Sequence, residues 1–164
     1  MHELKFLVTE ESARLARWLR LMGYDAATAG ATPLPALYRR AYNEARIVVT
    51  RNGRVGTSRL FRVVQLNNQR LEDQLKQVMK ELHLSVEPDK AFSRCDVCNV
   101  AVDPVEKSLV KDRVPPYVFQ TQRIFHQCPS CRRIYWAATH WQRTRKFFAD
   151  INEGLSSHTP EENA

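Results

Sequence analysis

Cys95, Cys98, Cys128 and Cys131 form two Cys-x-x-Cys pairs and are the only cysteines in a chain of 164 residues. A Cys-x-x-Cys pair on a tight turn aims two thiolates at one ion, and two such knuckles complete the tetrahedral Cys₄ set that Zn²⁺ prefers. The same spacing also suits two disulfides or a thioredoxin-like redox pair. Nothing at the N-terminus resembles a secretory signal, and neither pair lies in a βαβ setting. The pattern therefore points to structural Zn²⁺ in a reducing, cytoplasmic location. With all four positions filled by protein, no place is left for a catalytic water, and such a metal holds the fold.

Charge is the second chemical signal. The chain carries 25 Lys+Arg against 18 Asp+Glu, a formal +7. The excess is concentrated before residue 66, where 11 basic residues face 5 acidic ones and ten of the eleven are Arg. A guanidinium fork binds phosphate bidentately, so the bias favours nucleic acid as the partner over a purely solvating surface. No run is long enough to span a membrane. Arg14, Arg17 and Arg20 on the first helix, Arg51 and Arg54 after the third strand, and Arg132 and Arg133 at the second knuckle are the candidate phosphate contacts. Arg143, Arg145 and Lys146 continue a basic stretch on the last helix.

The elements that must position these groups alternate strand and helix. Leu4–Val8 reads as a strand, and Thr9 can cap a helix with Glu10 and Glu11 in its first turn. Leu15, Trp18, Leu19 and Met22 recur at helical spacing, with Trp18 expected in the core and Gly23 as the stop. A second strand covers about Asp25 to Ala29, and Thr32-Pro33 opens a helix through Leu37, Ala41 and Ala45. Arg46–Thr50 is a third strand, a short helix is expected through Val55 and Leu60, and Arg62–Leu66 is a fourth strand. Asn67-Asn68 should cap a helix striped by Leu71, Leu75, Val78, Met79 and Leu82. This alternation predicts an α/β fold with a parallel sheet, its ligand rim at the C-terminal strand ends. Pro88 to Ser93 is read as a linker. Beyond it, strands are expected at Val100–Val102, Arg123–Cys128 and Arg133–Ala137. A closing helix from His140 to Ile151 and a disordered tail over 152–164 complete the reading. Tyr135, Trp136 and Trp141 flank the second knuckle and could stack on bases or pack the small unit.

Several segments together resemble a known family. Leu15-Ala16-Arg17-Trp18-Leu19-Arg20-Leu21-Met22-Gly23-Tyr24-Asp25 after a first strand is similar to the signature of the Mut7-C domain family. So are Thr50-Arg51-Asn52, Phe92-Ser93-Arg94-Cys95, Asp112-Arg113-Val114-Pro115-Pro116-Tyr117-Val118, and Ile134-Tyr135-Trp136 after the second Cys pair. The resemblance runs over about residues 4–150 in the family's order. It implies a PIN-like α/β domain over 1–88 fused to a Cys₄ zinc ribbon with closing helix over 92–151. It also implies ribonuclease activity from clustered carboxylates holding Mg²⁺ or Mn²⁺.

The acidic centre departs from that pattern. Thr9 stands where the family usually ends its first strand with Asp, and Asn52 where it reads Thr-Arg-Asp. Gly30-Ala31-Thr32-Pro33-Leu34 replaces an acidic patch. Glu10, Glu11 and Asp25 remain, with only Glu10 expected at the rim, so the candidate catalytic set is Glu10, Asp25 and Asn52. The leading expectation is an RNA-binding protein with a degenerate metal centre and weak or no nuclease activity, its partner a tRNA, a ribosomal RNA or another structured RNA. The alternatives are an active metal-dependent ribonuclease using Glu10, and a zinc-ribbon module that docks on a protein assembly.

Overall fold

Phe6, Leu7 and Val8 have no exposed surface. They form β1 (Lys5–Val8), a strand flanked on both sides in a parallel sheet. The computed structural model describes residues 4–87, 90–136, 144 and 146–151. The chain divides into two units, residues 1–99 and 100–164.

In the first unit β2 (Asp25–Thr28), β3 (Ile47–Thr50) and β4 (Val63–Gln65) join β1 in the order β2-β1-β3-β4, all parallel. Parallel neighbours need crossovers. Three helices, α1 (Ala13–Leu21), α2 (Leu34–Asn43) and α3 (Leu71–Leu82), separate the strands or follow them. The mixed α/β reading is thus correct. The register sets Leu7 beside Ala27 and Val48, and Leu37 and Ala41 of α2 pack on that face. Each Leu or Val side chain of this set stabilises by about 1.5–3 kcal/mol when fully buried. The pleat turns Phe6 and Val8 to the other face. α1 packs against β1 and β2 and touches α3. It ends at Gly23, whose φ of +95° suits glycine, with Gly23 N–H donating to the Arg20 carbonyl and Tyr24 N–H to that of Leu19.

Some local expectations do not hold. The segment through Val55 and Leu60 is not helical but turned. Asn52 folds it back, its Oδ1 accepting from Arg54 N–H and its carbonyl from Val55 N–H. Neither Thr32 nor Asn67-Asn68 caps a helix. Thr32 Oγ1 bonds the Ala29 carbonyl, and Pro33 takes the position before α2. Ahead of α3, helix side chains reach back instead: Gln77 Oε1 accepts from Asn67 N–H and Gln74 Nε2 donates to the Asn68 carbonyl.

The second unit holds β5 (Asp103–Val105), β6 (Phe125–Gln127) and β7 (Ile134–Tyr135) as an antiparallel sheet in that order. Its first strand starts three residues later than the expected Val100–Val102. Pro116 opens α4 (Pro116–Thr121), as suits a residue without a backbone N–H. Val110, Val114 and Phe125 form a small core on which Phe119, Ile134 and Trp136 pack, so Trp136 serves as packing. Residues 146–151 are helical with Phe148 and Ile151 buried. His140, Trp141, Arg143, Arg145 and the expected tail lie outside the described residues.

Candidate functional site

The strand order reverses between β1 and β3, with β2 on one side and β3 and β4 on the other. Open α/β sheets bind ligands at such a switch point, beyond the C-terminal strand ends. A cleft of about 200 Å³ opens there, lined among others by Thr9, Glu10, Glu11, Thr32 and Asn52.

The Glu11 carboxylate organises this rim. Its Oε1 accepts from Thr50 Oγ1 at 3.0 Å, Arg51 N–H at 2.9 Å and Asn52 N–H at 3.2 Å, and it is also bonded to Thr9 Oγ1. Thr9 and Thr50 are themselves 2.8 Å apart, oxygen to oxygen, and both are buried. Two successive backbone N–H groups and two hydroxyls aimed at one oxygen make an arrangement that favours an anion. Burial alone would raise the Glu11 pKa. The hydrogen bonds from Thr9, the backbone and Thr50 outweigh it and hold the carboxyl below its ordinary value.

The expected acids are not brought together. Glu10 is exposed and lines the cleft, as anticipated. Asn52 is also at the rim, but its side-chain oxygen closes the turn onto Arg54. Asp25 pairs with Lys5 at the opposite end of the sheet, because it opens β2 rather than ending it. There it forms an ion pair with Arg46 at 2.6 Å and accepts from Asn99 Nδ2 at 2.7 Å. Burial would raise its pKa, but the bonds from Arg46 and Asn99 bring it below the ordinary value. Glu11, which the sequence reading set aside, is the acid the rim is built around. Its position two residues past a strand-ending Thr was the available signal, but only the sharp Glu10–Ser12 turn directs its side chain back.

The four cysteines do converge. Their Sγ atoms all lie within 4.8 Å of one another, and no disulfide joins them. A tetrahedral site with Zn–S bonds of about 2.3 Å has sulfurs about 3.8 Å apart, so the donor set fits a thiolate-bound metal after a small contraction. The two knuckles repeat one turn. Cys98 N–H donates to Cys95 Sγ at 3.2 Å and Cys131 N–H to Cys128 Sγ at 3.4 Å. The next residues, Asn99 and Arg132, adopt φ of 62° and 63° and return their N–H groups to the carbonyls of Cys95 and Cys128. Such N–H···S contacts stabilise the thiolate form that a metal needs.

A profile of the Mut7-C RNAse domain matches residues 4–148. The chain belongs to the Mut7-C family. No curated protein and no solved structure matches it. The Mut7-C match spans both the rim and the cysteines. No helix among the described residues is long and apolar enough to cross a membrane.

The arginines of this Mut7-C chain fall into distinct settings. Arg14 and Arg54 are exposed, and no side-chain ion pair engages them among the described residues. Arg132 and Arg133 are likewise exposed on the second knuckle. Arg51 is half-buried and turns Nη2 toward the Glu11 carbonyl at 3.4 Å, while its buried Nε has no partner. Arg17 is exposed but pairs with buried Asp96 at 2.7 Å. Arg20 does not reach the surface expected for it. It is 7% exposed, and its guanidinium bonds backbone carbonyls inside the unit. A buried guanidinium whose Nε and Nη1 are held by backbone carbonyls is not available to a phosphate at the surface.

Proposed function

We propose that this protein is a zinc-stabilised RNA-binding member of the Mut7-C family, with weak or no nuclease activity. The observation that carries this reading is the contact set of Glu11. A hard divalent cation needs several charged oxygens free to coordinate it. Here the Glu11 Oε1 is already surrounded by donors from Thr9, Thr50, Arg51 and Asn52. Thr9 and Asn52 supply no carboxylate where the family resemblance implies Asp. A rim short of free carboxylate oxygens suits Mg²⁺ or Mn²⁺ poorly, and the exposed Arg14 and Arg54 offer contacts for RNA phosphates instead. The parallel sheet supports a PIN-like domain, and the two knuckles together with the presence of an antiparallel sheet in the second unit support a zinc ribbon. Zn²⁺ is the ion that a Cys₄ set favours, and its role is structural. The site residues proposed for RNA are Arg14, Arg51, Arg54, Arg132 and Arg133, and the RNA is a structured one such as tRNA or ribosomal RNA.

One observation favours the nuclease as a second reading: Glu10 and Glu11 line the same cleft. A single assay separates the readings. Zinc-loaded protein is mixed with labelled structured RNA in Mn²⁺ or in EDTA, across a salt series. RNA that stays intact but binds with a steep salt dependence supports the proposal. In that case Arg14→Glu with Arg54→Glu should lower affinity and the salt slope together. Mn²⁺-dependent cleavage that disappears in Glu10→Gln would establish the nuclease. Absence of salt-sensitive binding would point to a protein assembly as the partner.

A further inference from the structure

Among the described residues, Arg20 is the only cation that is buried. Its Nε donates to the Ala26 carbonyl of β2 at 2.7 Å. Its Nη1 donates to the carbonyls of Asp96 at 2.9 Å and Val97 at 3.0 Å, the two residues between Cys95 and Cys98. One guanidinium thus joins α1, β2 and the first knuckle, all within the first unit. Neighbouring bonds hold the same loop. Asp96 Oδ2 accepts from Arg17, and Asn99 accepts from Ala26 N–H at 2.9 Å through its Oδ1.

Four thiolates around Zn²⁺ carry a net charge of −2, and Cys95 and Cys128 have no exposed surface. A buried anionic centre is costly unless positive charge and donors accompany it. Burial disfavours the Arg20 charge, and the attraction of Cys95, Asp96 and Cys98 offsets part of that cost. The guanidinium spans from the Ala26 carbonyl at Nε to the Asp96 and Val97 carbonyls at Nη1, a reach that the single nitrogen of an ammonium lacks.

We propose that Arg20 is the positioning residue of the metal site: it fixes the Asp96-Val97 turn so that Cys95 and Cys98 face one ion, and its charge compensates the thiolates. The proposal rests on the Cys₄ zinc reading. It implies a linkage, since an ion that binds a knuckle held by α1 and β2 must also stabilise the α/β unit.

The test uses the full chain, stripped of metal, and titrates Co²⁺ and then Zn²⁺ while following the visible absorption of tetrahedral cobalt thiolate. Outer-shell partners of metal ligands typically change affinity by about 10–100-fold. Arg20→Met is therefore expected to weaken Zn²⁺ binding by about 10–100-fold. Arg20→Lys, which keeps the charge without the fork, is expected to weaken it by about tenfold. The thermal midpoint is also measured in EDTA and in Zn²⁺. A packing role alone would lower both midpoints equally, whereas the proposal requires the gap between them to shrink. Zinc affinity within twofold of wild type in Arg20→Lys, with an unchanged gap, would overturn it, even if Arg20→Met failed to fold. A wild-type chain that gives no cobalt thiolate bands would overturn the zinc reading itself, and the two failures are told apart by the wild-type titration.

Discussion

Glu11 and Thr50 meet across the junction of β1 and β3, with Thr50 Oγ1 donating to Glu11 Oε1 at 3.0 Å. Thr50 is wholly buried, whereas the carboxylate stands at the open rim. The contact therefore ties the core of the sheet to the surface where a ligand would arrive.

This contact predicts a pH dependence. The folded-state pKa of Glu11 is below its ordinary value of 4.5. The stabilisation is therefore present above the unfolded pKa and is lost as pH falls through the folded one. Glu11→Gln should lower stability near neutral pH by about 1 kcal/mol, a modest figure because the group is largely exposed. The deficit should vanish in acid. Urea midpoints for both proteins between about pH 6 and pH 3 check this, and parallel curves would refute it.

Asp25 should prove structural. Asp25→Asn breaks its ion pair with Arg46, whose side chain is 11% exposed. A loss of about 2 kcal/mol is expected, below the value for fully buried pairs because both groups keep some solvent contact. RNA affinity per folded molecule should not change, since the residue lies at the far end of the sheet. Chemical denaturation and an RNA titration of the same preparation measure the two quantities.

Gly23→Ala should be among the more damaging single methyl additions. Gly23 has φ +95°, and a Cβ there would run into the Lys90 carbonyl oxygen. Backbone strain and the clash together should cost about 2 kcal/mol or more. Equilibrium unfolding in urea gives the value, and a change below about 0.5 kcal/mol would mean that the neighbouring chain yields freely.

Removing one ligand should release the ion. Cys128→Ser is expected to lose zinc, as read by native mass spectrometry. Amide protection should fall around Val110, Val114 and Phe125, while the first unit keeps its helices at a lower midpoint. Retained zinc with unchanged protection would contradict the Cys₄ reading.

The sequence by itself determined the parts that depend on local spacing. Four cysteines in two pairs announced a cluster, and their Sγ atoms do meet. Apolar runs and helical stripes placed all four parallel strands and the three helices of the first unit, because hydrophobic period is read along the chain, whereas the side-chain caps expected of Thr9, Thr32 and Asn67-Asn68 did not form. The tertiary structure decided which side chains could act. Asp25 resembles a rim acid until the register shows that it starts its strand. Glu10 and Glu11 are neighbours in sequence, but only the turn through Ser12 selects the one that the rim donors hold. Arg14, Arg17 and Arg20 recur every three residues, and each step falls about 60° short of a full helical turn. That drift carries the row from exposed Arg14, through Arg17 paired with Asp96, to Arg20 buried beneath the first knuckle. Spacing along a helix fixes the relative angles of its side chains, whereas the direction of the core is set by the elements that pack against it.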